Sequence, residues 1–356
     1  MRLALDAMGG DHAPKASVEG ALLFAKEFPQ HDVLLVGREG AIREAVGSAG
    51  LPGNVVVHSA ADVIGMEDNA GAAIRRKRDA SLRVCFDLVK SGTADAVISA
   101  GHSGAVMAGA LLVWGRLEGV ERPAFGTFLP SMGTDANGEN NRCLLIDAGA
   151  NVECKASHLA QFAVMGSAYA RAVRRVAHPR VGILSNGEEE GKGTELTREA
   201  WSLLRSSDLG FVGNVEGQDI FSGKVDVVVT DGFTGNVVLK TSEGAAMAVV
   251  SLIKSGVMNG GPLQKLGAWL LKPVFRGVRG RIDYAEYGGA PVLGVPKVAV
   301  VAHGRSCPRA IKNALRAAMQ TVDAGLIAEL ERSFQSAQKW LPGRLPTRAM
   351  APAQQA

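Results

Sequence analysis

Six glycine-rich polar segments are the parts of this 356-residue sequence whose residues could do chemistry. Each segment follows a short apolar run directly, and together they supply backbone N–H groups and the side chains of Asn, Ser, Thr and His. The segments span residues 6–12, 99–104, 147–151, 185–188, 230–236 and 302–306. Singly, each is typical of a tight turn with a helix cap. Six together favour one anion-binding site.

The predicted binding groups are glycines that can present backbone N–H groups and polar side chains that can hold an oxyanion. They are Gly9, Gly10, Asp11, His12, Gly101, His102, Ser103, Gly104, Asn151, Asn186, Asp231, Thr234, Gly235 and His303. No side chain is an obvious nucleophile, so a substrate such as inorganic phosphate is expected to attack. Lys192 and Asn236 would orient it and stabilise a tetrahedral oxyanion. By spacing alone, a solvated Lys192 neutralised by the glutamates at 188–190 is the commoner arrangement.

Other chemistries fit the sequence poorly. A dinucleotide site needs G-x-G-x-x-G after the first strand, but Asp11 stands where the pyrophosphate would bind. The stretch at 187–194 has the wrong spacing for a P-loop, and Gly193 replaces the hydroxyl residue that holds magnesium. The G-x-S-x-G turn of a serine hydrolase is absent around Ser103. The four cysteines show no C-x-x-C spacing and no cluster of metal-binding aspartates is evident, so we predict no metal site.

Short apolar runs alternate with helical patterns along most of the chain. This order is typical of a mostly parallel, doubly wound sheet with helices on both faces, a three-layer α/β/α fold. The predicted strands are 2–5, 33–36, 55–57, 96–99, 144–146, 181–184, 227–229 and 298–301, and the predicted helices are 16–28, 82–90, 159–176, 195–205 and 234–254. Ligands bind at the carboxyl ends of strands in such sheets, so we expect the six segments to open into one crevice.

Composition places the chain among ordinary globular proteins, with 47% hydrophobic and 21% charged residues. We predict one large α/β catalytic domain over residues 1–340 and a disordered, proline-containing tail over 341–356. An aromatic content of 5% and a net charge of +4 do not indicate a nucleic-acid partner. No signal peptide is evident, nor an apolar run of the ~18 residues that a membrane span needs, so we expect a cytoplasmic protein.

One stretch of the chain carries the excess of positive charge. Residues 244–282 contain no Asp or Glu but six Lys or Arg. They predict a basic amphipathic helical protrusion over 255–282, which Pro273 should kink or split. The residues expected to contact an anionic membrane surface or an acidic partner are Lys265, Trp269, Leu270, Lys272 and Arg276. A helix whose apolar side faces the core is the commoner explanation of such a pattern.

Several strings of the sequence resemble the family of bacterial phosphate acyltransferases. They lie at 6–14, 119–123, 149–151, 213–217, 231–237 and 286–290, within a resemblance that spans about residues 1–320. The resemblance implies an isocitrate-dehydrogenase-like fold, a homodimer, and acyl transfer from acyl carrier protein to inorganic phosphate without metal or cofactor. It implies that Lys192 and Asn236 are the catalytic lysine and asparagine. It also implies that the acyl phosphate product feeds a glycerol-3-phosphate acyltransferase of phospholipid synthesis.

Three positions depart from the pattern of that family. His102-Ser103 stands where Asn-Thr is common, and Arg305 stands where a small residue is usual. His102 would then hold phosphate through a ring N–H, which predicts pH-sensitive binding. Two other functions stay open on the residues: a phosphotransacetylase-like enzyme that uses a coenzyme A thioester, and a non-catalytic scaffold at the membrane.

Overall fold

The computed structural model of the chain describes residues 1–134, 140–282 and 288–341, which form one sheet of eleven strands surrounded by helices. The strands are β1 (Arg2–Asp6), β2 (Asp32–Gly37), β3 (Val55–Ser59), β4 (Ala96–Ser99), β5 (Ala124–Thr134), β6 (Asn140–Ile146), β7 (Arg180–Leu184), β8 (Gly210–Val215), β9 (Val227–Val229), β10 (Ala290–Leu293) and β11 (Val298–Val301). The α-helices are α1 (Lys15–Glu27), α2 (Glu39–Val46), α3 (Ala70–Arg76), α4 (Ser81–Lys90), α5 (Ser103–Gly109), α6 (Ala156–Arg174), α7 (Glu195–Arg205), α8 (Asp219–Ser222), α9 (Gly232–Met258), α10 (Pro262–Leu270), α11 (Lys272–Ile282), α12 (Pro308–Asp323) and α13 (Leu326–Ala337). The predicted tail lies outside the described residues from 342 onward.

Every predicted strand and every predicted helix is present, with ends that differ by a few residues. The apolar pattern does not predict β5, β8 or β10. Each of these strands contains Gly or Pro, residues that are depleted in strands, so the local pattern is weak. Pairing with neighbouring strands decides their conformation instead: β5, for example, pairs antiparallel with β6.

Helices cover both faces of the sheet, which confirms the predicted three-layer α/β/α fold. Successive residues of β1 go to opposite faces, as the pleat of a strand requires. Leu3 and Leu5 pack with apolar residues of α1 and α12 on one face. Ala4 packs on the other face with residues of α4 and α5. The core of the second half is built around α6, whose residues 158–170 are all buried.

The strand order is β3-β2-β1-β4-β11-β10-β5-β6-β9-β7-β8. The five strands from β3 to β11 are parallel to one another, and so are the four strands from β6 to β8. Three antiparallel pairings connect the two groups through β10 and β5, so the groups run in opposite directions. This corrects the expectation that all the strand ends lie on one edge of a uniformly parallel sheet.

An offset between the two groups nevertheless brings several strand ends together. Val301 at the end of β11 pairs with Ala290 at the start of β10, and Val292 of β10 pairs with Phe125 near the start of β5. Ile146 at the end of β6 pairs with the residue after Phe125. By this register Ile146 lies almost level with Val301 along the strand direction. The end of β6 is therefore close to the ends of β1, β4 and β11.

Residues 244–282, called the basic arm below, leave the sheet between β9 and β10. None of its described side chains is buried, although α9 itself begins with the buried Gly232 and Gly235. The helical segment is divided into two helices next to Pro273, as predicted: α10 ends at Leu270 and α11 begins at Lys272. One expectation is corrected here: by length and composition α9 is apolar enough to cross a membrane. A single helix of that kind is weak evidence for a span.

Candidate active site

A cavity of about 1040 Å³ opens at the strand ends that the register brings together. Its walls come from the loops after β1, β4, β6 and β11, the first half of β5 and one face of α9. Eight of the residues predicted from the sequence line it: Gly9, Gly10, Asp11, Gly101, His102, Ser103, Asn236 and His303. The predicted crevice therefore has a counterpart in the structure, built by most but not all of the six segments.

The loops after β1 and β4 are held together by a buried carboxylate. Asp6 accepts hydrogen bonds from the hydroxyl groups of Ser81 and Ser99 at 2.6 and 2.7 Å. Burial raises the pKa of Asp6, and these hydrogen bonds act in the opposite direction. A Cβ atom on Gly9 would lie 2.7 Å from the backbone nitrogen of Gly101, so only glycine permits this close approach. The two glycine loops thus present their backbone side by side at the cavity.

The loop after β11 is tied to the same corner of the cavity. The backbone N–H of Asp11 donates to the carbonyl oxygen of Gly304 at 2.8 Å. Gly10 makes the turn with a φ of 103°, a conformation that favours glycine. His102 caps the N-terminus of α5, where its Nδ1 accepts a hydrogen bond from the backbone N–H of Ala105 at 3.3 Å. In its neutral form the His102 ring therefore carries its proton on Nε2.

Asp147 organises the loop after β6. Its carboxylate accepts hydrogen bonds from the backbone N–H groups of Phe125 and Gly149 at 3.0 and 3.1 Å, and from that of Asn151 at 2.7 Å. The side-chain amide of Asn151 donates to Asp147 and to the carbonyl oxygen of Pro123, both at 2.8 Å. Asn151 is therefore engaged in shaping the loop and does not line the cavity, in contrast to its predicted place. Burial raises the pKa of Asp147, and the N–H donors act in the opposite direction.

The start of α9 is fixed against this loop, which positions Asn236. Asp231 caps the helix by accepting hydrogen bonds from the backbone N–H and the hydroxyl group of Thr234 at 2.9 and 2.8 Å. Gly235 lies so close to the Asp147 carbonyl that a Cβ atom there would collide with it. Asp231, Thr234 and Gly235 therefore fix the start of the helix, and none of them lines the cavity. Asn236, the next residue, lines it.

A positive group that the sequence analysis missed lies one helical turn beyond Asn236. Lys240 lines the cavity, and its Nζ is 3.5 Å from Nε2 of His303. The Nδ1 atom of His303 accepts a hydrogen bond from the backbone N–H of Arg305 at 3.1 Å. Burial, and after it the neighbouring Lys240, lowers the pKa of His303. The four-residue spacing from Asn236 on a helix was the signal that could have indicated Lys240.

Four predicted residues lie outside the cavity lining for other reasons. Lys192 is exposed in the loop after β7, where its backbone N–H donates to the carbonyl oxygen of Glu189 at 3.0 Å. Asn186 accepts a hydrogen bond from the backbone N–H of Gly193 at 2.9 Å and so shapes the same loop. His12 precedes α1, and Gly104 is the second residue of α5. The segment after β7 does not reach the cavity because β9 separates β7 from β6 in the sheet.

Another part of the cavity lining is apolar. It is built by side chains of β5, of the segment after β3, and of α8 and α9: Val63, Ile64, Met66, Phe128, Leu129, Phe221 and Leu239. The polar part of the lining thus offers an amide and a cation, whereas the backbone N–H of Gly101 is engaged by the hydroxyl group of Ser99 at 3.0 Å. The apolar part suits a hydrocarbon chain. Within the described ranges, no group of three or more His, Cys, Asp or Glu side chains is placed to hold a metal ion.

Solved structures share this architecture. A phosphotransacetylase from Streptococcus pyogenes superposes with a TM-score of 0.58 at 16% sequence identity, covering 91% of this chain and 94% of that one. A branched-chain phosphotransacylase from Enterococcus faecalis V583 gives a TM-score of 0.51 at 13% identity, covering 90% and 99%. At these identities the likeness establishes the fold alone. The chain has the three-layer fold that these transacylases share.

Sequence relatives establish the family. A family model described as "Fatty acid synthesis protein" matches residues 1–329. A phosphate acyltransferase from Myxococcus xanthus (strain DK1622) is 59% identical over 343 residues, covering 96% of each chain. A phosphate acyltransferase from Geobacter sulfurreducens is 46% identical over 337 residues, covering 94% of this chain and 95% of the relative. The chain therefore belongs to the fatty acid synthesis protein family and is an acyltransferase, which confirms the resemblance found in the sequence.

Proposed function

We propose that the protein transfers a fatty acyl group from the thioester of acyl carrier protein to inorganic phosphate, giving an acyl phosphate for phospholipid synthesis. The observation that carries this proposal is the two-sided cavity. Its polar end brings together the glycine loops after β1 and β4, the amide of Asn236 and the ammonium group of Lys240, and the last two are donors of the kind that an oxyanion site requires. Its apolar wall suits the acyl chain. The names of the relatives support the proposed reaction.

The proposed reaction is the attack of a phosphate oxygen on the thioester carbonyl carbon. A C–O bond forms, the carbonyl oxygen becomes an oxyanion, and the C–S bond then breaks. Asn236 is in position to donate its amide to that oxyanion or to the phosphate, because the packing of Gly235 on Asp147 fixes the first turn of α9. A thiol with a pKa of about 8.5 is a good leaving group, so a strong general acid is not required.

Lys192 keeps its predicted role only as a hypothesis. It would stabilise negative charge or protonate the departing sulfur, but its side chain belongs to the exposed loop after β7 and not to the cavity lining. A Lys192→Gln variant tests this role against Asn236→Ala. A direct role predicts that both variants lose turnover. A loss confined to Asn236→Ala would remove Lys192 from the mechanism.

The test of the reaction is thiol release from palmitoyl-acyl carrier protein, measured colorimetrically with and without inorganic phosphate. Phosphorolysis predicts release that depends on phosphate and persists with a chelator present. Release without phosphate would indicate a thioesterase instead. Phosphate-dependent release from palmitoyl-coenzyme A, with none from the carrier protein, would favour the coenzyme A alternative. No release from either would favour the scaffold.

We further propose that the enzyme is cytoplasmic and attaches peripherally to anionic membranes through the basic arm. Leu263, Trp269 and Leu270 are 80%, 68% and 64% exposed, so the alternative in which these residues face the core of their own domain is wrong. Lys265 and Lys272 are exposed beside them, and the arm contains no acidic residue. Apolar side chains flanked by cations match the interface of an anionic bilayer. The side chain of Arg276, the fifth predicted contact, lies outside the described part of the chain.

Membrane attachment fits the chemistry of the proposed product. A long-chain acyl phosphate is lipophilic and labile, so release at a membrane would deliver it to a glycerol-3-phosphate acyltransferase that consumes it. The same basic arm could instead steer the acidic acyl carrier protein, or be covered by the second subunit of the homodimer that the resemblance implies.

Vesicle sedimentation separates these possibilities for the basic arm. Lys272→Glu combined with Arg276→Glu should abolish binding to anionic vesicles while thiol release in solution stays intact. Unaltered vesicle binding would refute the membrane role. A raised KM for acyl carrier protein would assign the surface to that partner, and a change in oligomeric state would assign it to the dimer.

A further inference from the structure

Four consecutive cations, residues 75–78, lie beside the entrance of the cavity. Arg75 and Arg76 belong to the last turn of α3, and Lys77 and Arg78 follow that helix. The three arginines are exposed, and within the described ranges none of them forms an ion pair. A cation at the end of a helix is stabilised by the helix dipole, but that does not account for Arg78, which lies beyond α3.

Lys77 fixes these cations relative to the rim of the cavity. Its Nζ donates to the carboxylate of Asp68 at 2.8 Å and to the carbonyl oxygen of Val63 at 3.0 Å. Between these two residues, Met66 lines the cavity and is 67% exposed, so it lies at the rim. The cations and the rim segment are therefore one connected unit.

The packing of α3 places the cations outside the cavity but near it. A Cβ atom on Gly104 would lie 3.6 Å from that of Ala70, the first residue of α3, and His102 and Ser103 just before Gly104 line the cavity. At 1.5 Å per residue, the end of α3 lies about 9 Å along the helix from Ala70. None of the residues 75–78 lines the cavity itself. They are placed to contact a partner at the entrance.

The acidic side chains around these cations are mostly engaged close to the backbone. Residues 61–80 contain four acids and four bases, so their net charge is zero. Asp62 accepts a hydrogen bond from the backbone N–H of Val63 at 2.7 Å, and Asp79 accepts one from that of Ala61 at 3.0 Å. Asp68 is paired with Lys77, which leaves Glu67. The three arginines are thus the charges that an approaching partner can pair with.

We propose that Arg75, Arg76 and Arg78 form the docking surface for the acidic acyl carrier protein, whose acyl group enters the cavity past Met66. Carboxylates of the carrier protein would pair with the guanidinium groups, whose planar fork matches carboxylate geometry. This inference rests on the proposed function, since it takes the carrier thioester as the substrate of this cavity.

A protein partner fits this surface better than a bilayer does. Within residues 61–80, all of which the structure describes, Met66 is the one large apolar side chain that is exposed. Attachment of a basic surface to a membrane depends on buried apolar area as well as on charge. The basic arm provides such apolar area and the surface around residues 75–78 does not. The two basic surfaces therefore have different partners.

The experiment measures the KM for palmitoyl-acyl carrier protein and for phosphate separately. Replacement of Arg75, Arg76 and Arg78 together by Gln should raise the KM for the carrier thioester by about 5- to 50-fold, the effect of three exposed ion pairs, and leave the KM for phosphate within about twofold. Salt should raise the carrier KM of the parent more than that of this triple variant.

The matched control removes three cations from the opposite edge of the parallel strands. Lys26 lies in the last turn of α1, Lys90 in the last turn of α4, and Lys297 just before β11, and all three are exposed. Their joint replacement by Gln changes the net charge equally and should leave both KM values unchanged. An equal rise of the carrier KM in the control would attribute the effect to net charge and refute the docking surface.

A binding measurement separates this inference from the proposed function. Isotopically labelled carrier protein without an acyl group is titrated with the full chain and followed by NMR; the parent and the control should shift its signals, and the triple variant should not. Phosphate-dependent thiol release by the parent, with an unchanged carrier KM in the triple variant, would overturn the inference and leave the proposed function standing. Absence of release from the carrier thioester by the parent would overturn the proposed function. The titration then decides the inference: no shifts, or equal shifts with parent and triple variant, would refute it, and shifts lost only in the triple variant would support it.

Discussion

Replacement of Asp147 by asparagine is expected to destabilise the protein strongly, because every hydrogen bond that this carboxylate accepts comes from an N–H group. Its two oxygens receive hydrogen bonds from four backbone N–H groups and from the side-chain amide of Asn151. An asparagine would place an NH2 group at one of the two oxygen positions. That NH2 group would face N–H donors, and the hydrogen bonds that the replaced oxygen accepts would be lost.

The magnitude follows from the number of bonds at each oxygen of Asp147. Oδ2 accepts two, from the backbone and the side chain of Asn151, and Oδ1 accepts three. With the NH2 group at Oδ2, two bonds to a charged acceptor are lost, at about 1.5–3 kcal/mol each, so we expect a loss of about 3–6 kcal/mol. The opposite orientation would lose three bonds and is less favourable.

Urea-induced unfolding of Asp147→Asn and Asp231→Asn, compared with the parent, measures this effect. Asp231 is the matched control because it caps α9, and asparagine caps helices about as well as aspartate, so we expect a change of about 1 kcal/mol or less. Asp147→Asn should also lower activity, since the Asp147 loop positions Asn236. Similar losses of stability in the two variants, or a loss below about 1 kcal/mol for Asp147→Asn, would refute this account of the loop.

Three further perturbations test other parts of the structure. Gly9→Ala should cost about 1–3 kcal/mol of unfolding free energy and lower thiol release, since its Cβ would press on the backbone of the next loop. Gly40→Ala is the control, because a Cβ atom there would meet open space, and it should lower neither stability nor thiol release. Equal losses of stability in the two variants would contradict the close approach of Gly9 to the next loop. Lys240→Gln should raise the pKa of His303 measured by NMR, because a neighbouring cation lowers it; an unchanged pKa would show that Lys240 does not contribute to this shift. A thiol reagent should modify Cys307 first in the native protein, while the two fully buried thiols should react only after unfolding.

The regular elements of the fold could be predicted from the sequence because their apolar patterns are strong. Runs such as Val227–Val229 are short, β-branched and bounded by turn residues, and the structure has a strand at each of them. The direction of the second half of the sheet could not be predicted, since it depends on β5 and β10. The Gly and Pro residues of β5 and β10 weaken the local strand pattern, and only pairing with distant strands specifies these two strands.

The location of the candidate site could be predicted from the sequence, but the role of each residue in it could not. The same glycine-rich string contains Asn236, which lines the cavity, and Asp231, which caps the helix beneath it. A capping aspartate and a ligand-binding aspartate look alike in a sequence, so spacing does not distinguish them. Lys240 was missed because it lies inside the helix, away from the strand-end segments on which the prediction relied.

Isotopically labelled phosphate tests the central claim most directly. The protein would be incubated with palmitoyl-acyl carrier protein and inorganic phosphate carrying 18O at every oxygen, and the products followed by 31P NMR and mass spectrometry. Attack by phosphate on the carbonyl carbon predicts an acyl phosphate that retains every labelled oxygen, formed in equal amount to the released thiol. Release of thiol together with unlabelled free fatty acid, and no acyl phosphate, would contradict the account.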